Sequence, residues 1–169
     1  MDGNKETNFN PCYTFETFEV CNANELAVAV AAQSTGEEYN PFFLYGKHGS
    51  GKTHLLHAIG NGTLKQHSSA KILYLTGQEF VSDAASKLRK NKKNLYGEYD
   101  VLMVDGIGVM AGEEASQQLL LNIIDVFVAS KKQVIITSEL APKCFSVIDT
   151  YDRGIIADID CPQRNTKPV

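Results

Sequence analysis

The apolar positions of this chain fall into two alternating rhythms. Pro41-Phe42-Phe43-Leu44-Tyr45, Lys71 to Leu75, Val101 to Asp105 and Gln133 to Thr137 are short, nearly unbroken apolar runs. Runs of that length and density predict strands buried on both faces. Between them, Lys52 to Ile59, Glu79 to Leu88 and Glu114 to Val128 carry apolar residues at helical spacing, as at Leu55, Leu56 and Ile59. A last apolar stretch, Ile155 to Ile159, predicts one more strand. Strand and helix therefore alternate, which predicts an α/β fold with a parallel central sheet covered by helices. Ahead of the first strand, Tyr13, Phe15 and Phe18 offer aromatic anchors before a helix capped near Asn22 that carries Leu26, Val28 and Val30. The expected organisation is a flexible segment at 1–10, one core at 11–162 and a tail at 163–169.

Composition narrows the classes. A chain of 169 residues with 43% hydrophobic residues can bury one sizeable core. A formal net charge of −4 argues against a general polyanion binder, because such affinity rests on Lys and Arg neutralising phosphates. Cys12, Cys21, Cys144 and Cys161 lie far apart with no C-x-x-C pair, so neither a zinc site nor a redox motif is supported. No apolar run approaches membrane-spanning length and the polar, acidic start is no secretion signal, so the expectation is a cytoplasmic protein without a membrane partner.

Chemistry enters with Gly46-Lys47-His48-Gly49-Ser50-Gly51-Lys52-Thr53, a complete G-x-x-x-x-G-K-[ST] motif between a predicted strand and a predicted helix. Glycines let the backbone curl so that its N–H groups face phosphates, and the helix N-terminus adds partial positive charge. Lys52 is the candidate catalytic cation at the β- and γ-phosphates, and the Thr53 hydroxyl the candidate Mg²⁺ ligand. Residues 46–54, from Gly46 to Thr53 with His54 following, form the candidate cofactor-binding stretch for ATP with Mg²⁺. His48 itself carries no assigned chemistry. Val101-Leu102-Met103-Val104-Asp105 ends four apolar residues in an acid, the way a Walker B strand delivers a carboxylate beside Mg²⁺. Asp105 is therefore the second candidate metal ligand and catalytic residue.

Several segments together resemble the DnaA family of bacterial replication initiators, over most of the chain. Asn10 to Phe18 is similar to the family's opening, which wraps near the adenine. Tyr39 to Gly46, followed by Gly51-Lys52-Thr53-His54-Leu55-Leu56-His57-Ala58-Ile59-Gly60, resembles its P-loop region beyond the generic motif. Tyr99 to Ile107 with Ala111-Gly112-Glu113-Glu114 resembles its Walker B region. The resemblance implies a three-layer AAA+ ATPase core, ATP or ADP as ligand, and ATP-dependent assembly in the initiation of DNA replication. It implies self-association, or association with a replication initiator. The family's helical lid, helix-turn-helix domain and N-terminal interaction domain lie outside the stretch matched, so the expectation is a minimal relative or an excised fragment.

Departures shape what to expect of the chemistry. Gly106 stands where the family has a second Asp, Thr150 where it has an arginine finger, and Arg153 is near but out of register. Glu139 replaces the Asp usual in the sensor strand, where a phosphate-sensing role through water and a plain solvated acid stay equally open. Turnover is accordingly expected to be slow, and a regulatory or decoy protein that docks on an initiator is the alternative function. Lys87 to Lys93 holds five cations in seven residues. A solvated helix end, with its cations complementing the helix dipole, is the plainer account of this cluster. Weak single-stranded DNA contact is the other, since Val81 fits the family's strand-gripping motif but Ala115 replaces a basic position.

Overall fold

The computed structural model describes residues 9–20, 28, 40–91, 94–151 and 154–160. Strands β1 (Phe42–Tyr45), β2 (Ile72–Thr76), β3 (Val101–Asp105), β4 (Gln133–Ser138) and β5 (Ile155–Asp158) alternate with helices α1 (Lys52–Gln66), α2 (Gly77–Arg89) and α3 (Glu114–Ala129). All five strands are parallel and lie in the order β2-β3-β4-β1-β5. Three layers result, because successive strand residues face opposite sides. Phe42, Leu44, Met103 and Ile135 pack on Leu55, Leu56 and Ile59 of α1. Phe43, Leu102, Val104 and Ile136 pack on Phe80 of α2 and on Leu120, Ile124 and Phe127 of α3. In β1, β3 and β4 the continuous apolar runs are thus strands with two buried faces, whereas edge strand β2 is only partly buried and Ile156 of edge strand β5 is 53% exposed.

The expected strands are present within a residue or two at their ends, and two helices differ for identifiable reasons. Helix α2 starts at Gly77 rather than Glu79 because Thr76 closes a capping box: its Oγ1 accepts from the Glu79 N–H (3.2 Å), and Glu79 Oε2 accepts from the Thr76 N–H (2.8 Å). Helix α1 runs past Ile59 to Gln66, through Gly60-Asn61-Gly62, which looks like a breaker in isolation. The opening segment supplies what local propensity lacks. A Cβ on Gly60 would lie 2.5 Å from the Phe9 ring, so the glycine admits that ring against the helix. Asn61 Nδ2 donates to the Asn10 and Tyr13 carbonyls, both at 3.0 Å.

Of the expected helix near Asn22, Val28 is helical and packs on the α1 side of the core, while Asn22, Leu26 and Val30 lie outside the described residues. Cys21, Lys92, Lys93, Arg153 and Cys161 lie outside them too. Cys12 and Cys144 are exposed free thiols. Among the described residues no helix is long and apolar enough to cross a membrane.

His57 joins the opening segment to the sheet. Its ring lies edge-on to Phe9, Tyr13 and Tyr74, with centroids 5.4, 5.4 and 5.2 Å away. Its Nδ1 accepts the Asn10 N–H (2.9 Å), so that nitrogen must carry no proton. Burial lowers the His57 pKa, Asp105 opposing and His54 assisting. The stabilisation is therefore complete above the ordinary imidazole value of about 6.5 and is lost as pH falls below it. Between about pH 7 and about pH 5, amide exchange in residues 9–18 should rise beyond its intrinsic pH dependence. His57→Gln, which keeps an acceptor but takes up no proton, should flatten that rise, and an unchanged rise in the variant would contradict the assignment.

Candidate functional site

The sheet order brings the C-terminal ends of β1, β3 and β4 side by side, and the P-loop springs from the first of them. After Tyr45 the chain turns through Gly49 (φ 76°) and Gly51 (φ 98°) before α1 begins at Lys52. Gly51 is required twice, since its backbone is left-handed and a Cβ would lie 2.7 Å from the Phe18 ring. Lys52 is only 8% exposed. Its ammonium curls into the loop and donates to the Gly46 and Lys47 carbonyls, both at 2.7 Å, and to Ser50 Oγ at 3.3 Å. Burial lowers its pKa, and the carboxylates of Glu139, Asp160 and Asp105 push back. A loop that turns its own carbonyls onto the lysine holds that cation where an anion can exchange for them.

Asp105 ends β3 beside this lysine, and three hydroxyl groups converge on its carboxylate. Thr53 Oγ1 donates to Oδ2 (2.8 Å), Tyr74 OH donates to the same oxygen (2.5 Å), and Thr137 Oγ1 donates to Oδ1 (2.5 Å). Burial first, and then the bond to Asp105, hold the Tyr74 phenol well above its ordinary pKa, so it remains a donor. The two residues expected to share a metal, Thr53 and Asp105, are thus in contact. A hydroxyl and a carboxylate oxygen suit Mg²⁺, which takes few protein ligands and completes its shell with phosphate and water. Among the described residues no group of three His, Cys, Asp or Glu forms an all-protein metal cage.

A cleft of about 490 Å³ opens over these groups, lined by Tyr13, His48, Gly49, Gly51, Lys52, Thr53, His54, Asp105, Gly106, Thr137 and Glu139. Gly46, Lys47 and Ser50 sit at the base of the loop, where Gly46 N–H donates to the Ser138 carbonyl (3.1 Å) and Lys47 N–H donates to Asp160 Oδ2 (2.5 Å). His54 faces the opening segment, stacked on Tyr13 (4.7 Å, 16°) with Nε2 2.9 Å from the Thr14 carbonyl. Tyr74, Thr137 and Asp160 were missed from sequence. The available signal was weak: Thr137 is the polar end of an apolar strand run, Tyr74 sits inside one, and Asp160 follows the last.

The residues expected to depart from the family's pattern take up the following places. Gly106 lines the cleft with a left-handed backbone (φ 81°), and a Cβ built there would meet open space. Glu139 pairs with His48 at 2.9 Å. Glu113 and Glu114 stand at the start of α3, and neither is among the residues lining the cleft. Thr150 is exposed in a short 3₁₀ turn, its hydroxyl donating to the Val147 carbonyl (2.6 Å). In the basic cluster, Lys87 is already engaged: it pairs with Asp83 (3.2 Å) and lies 4.2 Å over the Tyr96 ring.

A parallel sheet in this order, with a P-loop on the first strand and an acid on the third, defines a three-layer AAA+ nucleoside-triphosphatase core. A family model of the bacterial DnaA ATPase domain matches residues 9–155, and the chain belongs to that family. It is 37% identical over 170 residues to the chromosomal replication initiator protein DnaA of Caldanaerobacter subterraneus subsp. tengcongensis, covering 94% of this chain and 38% of that protein. The chain spans about two-fifths of the length of the curated relatives it matches. Domain III of the Thermotoga maritima replication initiation protein DnaA superposes with a TM-score of 0.80 at 30% identity, covering 90% of this chain and 68% of that one. A replication initiator DnaA bound to AMPPCP and single-stranded DNA superposes with a TM-score of 0.77 at 30% identity, covering 89% and 50%.

Asp105 should depend on its donors for stability as well as for orientation. Tyr74→Phe keeps the ring but removes one hydrogen bond to a partly buried carboxylate, and should cost about 1–2 kcal/mol in urea denaturation. Combined with Asp105→Asn, the loss should be less than additive; strict additivity would show that the two groups do not interact.

Proposed function

We propose that this chain is the nucleotide-binding core of a DnaA-type AAA+ module, which binds ATP with Mg²⁺ and assembles under nucleotide control in the initiation of DNA replication. The observation that carries the proposal is the meeting of Lys52, Thr53 and Asp105 in one cleft beneath a glycine loop. In this reading the loop N–H groups and Lys52 hold the β- and γ-phosphates, and Lys52 gives up its carbonyl partners to do so. Thr53 and Asp105 would hold Mg²⁺, which would supply positive charge to offset that of the phosphates. Tyr13 and His54, stacked at the other side of the cleft, supply an aromatic wall for the base. A relative of the same fold bound to AMPPCP supports the ligand class.

Hydrolysis is proposed to be slow. Gly106 brings no carboxylate to orient water, and a positioned acid/base group contributes roughly 10²–10⁴ in rate. Thr150 supplies no cation to a neighbour, and an arginine finger is worth on the order of 10³–10⁵. Single-stranded DNA, bound by that same relative, is proposed as a weak ligand at most, because Lys87 is taken by Asp83 and Tyr96. Neither the fold nor the family match favours the decoy alternative.

Two measurements test the core of this proposal. Calorimetric titration with ATP and Mg²⁺ should show saturable binding that Lys52→Ala weakens sharply; equal affinity in the two proteins would remove the loop from the assignment. In single-turnover hydrolysis the wild type should be slow, and Gly106→Asp should accelerate it. The new side chain enters open space, and its left-handed backbone costs about 1–2 kcal/mol. Wild-type turnover at about 1 s⁻¹ or faster, ordinary for an enzyme, would refute the slow-turnover reading.

A further inference from the structure

The chain leaves β5 directly behind the P-loop. Because β5 pairs in parallel with β1, Asp158 is level with Tyr45, and the contact continues one residue further, where the Ile159 N–H donates to the Tyr45 carbonyl (2.8 Å). Ile159 is buried, and the Asp160 N–H donates to Asp158 Oδ1 (2.8 Å), so the backbone that presents Asp160 is fixed on both sides. The Asp160 side chain accepts the Lys47 N–H through Oδ2 (2.5 Å). The first glycine of the motif shows how close the two segments run: a Cβ on Gly46 would overlap Ile159 Cγ2 and lie 3.0 Å from Asp160 Oδ2. Gly46 is therefore required by the passage of residues 159–160, a demand separate from the curl that the motif's glycines give to a phosphate loop.

Neither Asp160 nor Lys47 lines the cleft. A carboxylate behind a phosphate loop opposes an anionic ligand by its charge, so any gain it brings comes through the loop itself. Lys47 is where that gain arises. Its N–H is held by Asp160, and its carbonyl accepts from Lys52 Nζ (2.7 Å) and from the Ser50 N–H (3.2 Å). On the nucleotide reading, Lys52 leaves the Gly46 and Lys47 carbonyls for phosphate, and the loop loses the bonds that run through that ammonium. The bond from Asp160 does not pass through Lys52 and is kept. We infer that Asp160 is a positioning residue for phosphate binding, bracing the P-loop from behind through the Lys47 N–H so that the loop keeps its shape when Lys52 turns to the ligand. The inference rests on the nucleotide reading and adds to it a residue that touches no ligand. Order already present in the free protein does not have to be created on binding, which strengthens the complex. The loop embraces the phosphates that diphosphate and triphosphate share, so the brace serves both nucleotides alike.

The test compares Asp160→Asn, which keeps an acceptor of the same shape, with Asp160→Ala, which removes it. Both variants lose the charge, so the difference between them reads the hydrogen bond alone. In calorimetric titration of the whole chain with AMPPCP and with ADP, both with Mg²⁺, Asp160→Asn should bind each nucleotide no more weakly than the wild type. Its lost charge assistance is offset by the removal of a negative charge behind the phosphates. Asp160→Ala should bind both nucleotides roughly five- to tenfold more weakly than Asp160→Asn, the worth of about one hydrogen bond. A contribution to stability alone would lower the urea midpoint of Asp160→Ala without separating the two variants in affinity. Amide exchange in the free protein reads the brace without nucleotide: the Lys47 N–H should be protected in the wild type and in Asp160→Asn, and exchange roughly tenfold faster in Asp160→Ala. Equal affinities of the Asn and Ala variants, a loss confined to one nucleotide, or a Lys47 amide unprotected in the wild type would each overturn the inference. Binding of neither nucleotide by the wild type, with the Lys47 amide still protected, would instead overturn the nucleotide reading and leave the brace without a ligand to serve.

Discussion

Asp105 is a carboxylate at the inner end of a buried strand, and a charge there is tolerable only if other groups replace the water it has lost. Thr53, Tyr74 and Thr137 do so, each from a different element: the first turn of α1, β2 and β4. One acid therefore ties the P-loop helix to three neighbouring strands. This works because β4 lies between β1 and β3 and brings Thr137 beside Asp105, while β2 flanks β3 on its other side. The sheet order and the site are in that sense one constraint: exchange two strands and the carboxylate loses a donor.

The opening segment serves a second purpose from the outer side of α1. One side of that helix supplies Leu55, Leu56 and Ile59 to the sheet, while His54, His57, Gly60 and Asn61 receive Phe9, Asn10 and Tyr13. The helix that presents Lys52 and Thr53 is thus clamped between sheet and opening segment. Phe18 lies against Gly51 at the helix start, so the same segment also borders the loop itself. A cleft wall built by Tyr13 and His54 is a by-product of this clamp, and the fold needs no separate element to make it.

Above that base, Gly106, Glu139 and His48 line the rim of the cleft. Gly106 follows β3 with open space where a side chain would stand. Glu139 places an acid on the rim and reaches His48 on the facing loop. On the proposed reading, binding rests on Lys52, Thr53 and Asp105, and hydrolysis on what surrounds the terminal phosphate.

Sequence alone determined the alternation of strands and helices, the P-loop and the acid of β3, because these depend on local rules. Buried parallel strands need unbroken apolar runs, and a phosphate loop needs glycines at set spacing before a helix. It also determined the family, through motifs that are contiguous in the chain. Strand order, by contrast, is a matter of which apolar edges meet across the fold, and no local pattern encodes it. The same limit hid Tyr74 and Thr137, polar groups in apolar runs whose meaning appears only beside Asp105. It hid the length of α1 as well, since Gly60 and Gly62 weaken an isolated helix, and only the Phe9 ring and the Asn61 bonds show why the helix continues. The pairing of His48 with Glu139, residues ninety-one positions apart, was decided by the tertiary structure for the same reason: the parallel sheet sets the ends of β1 and β4 next to each other.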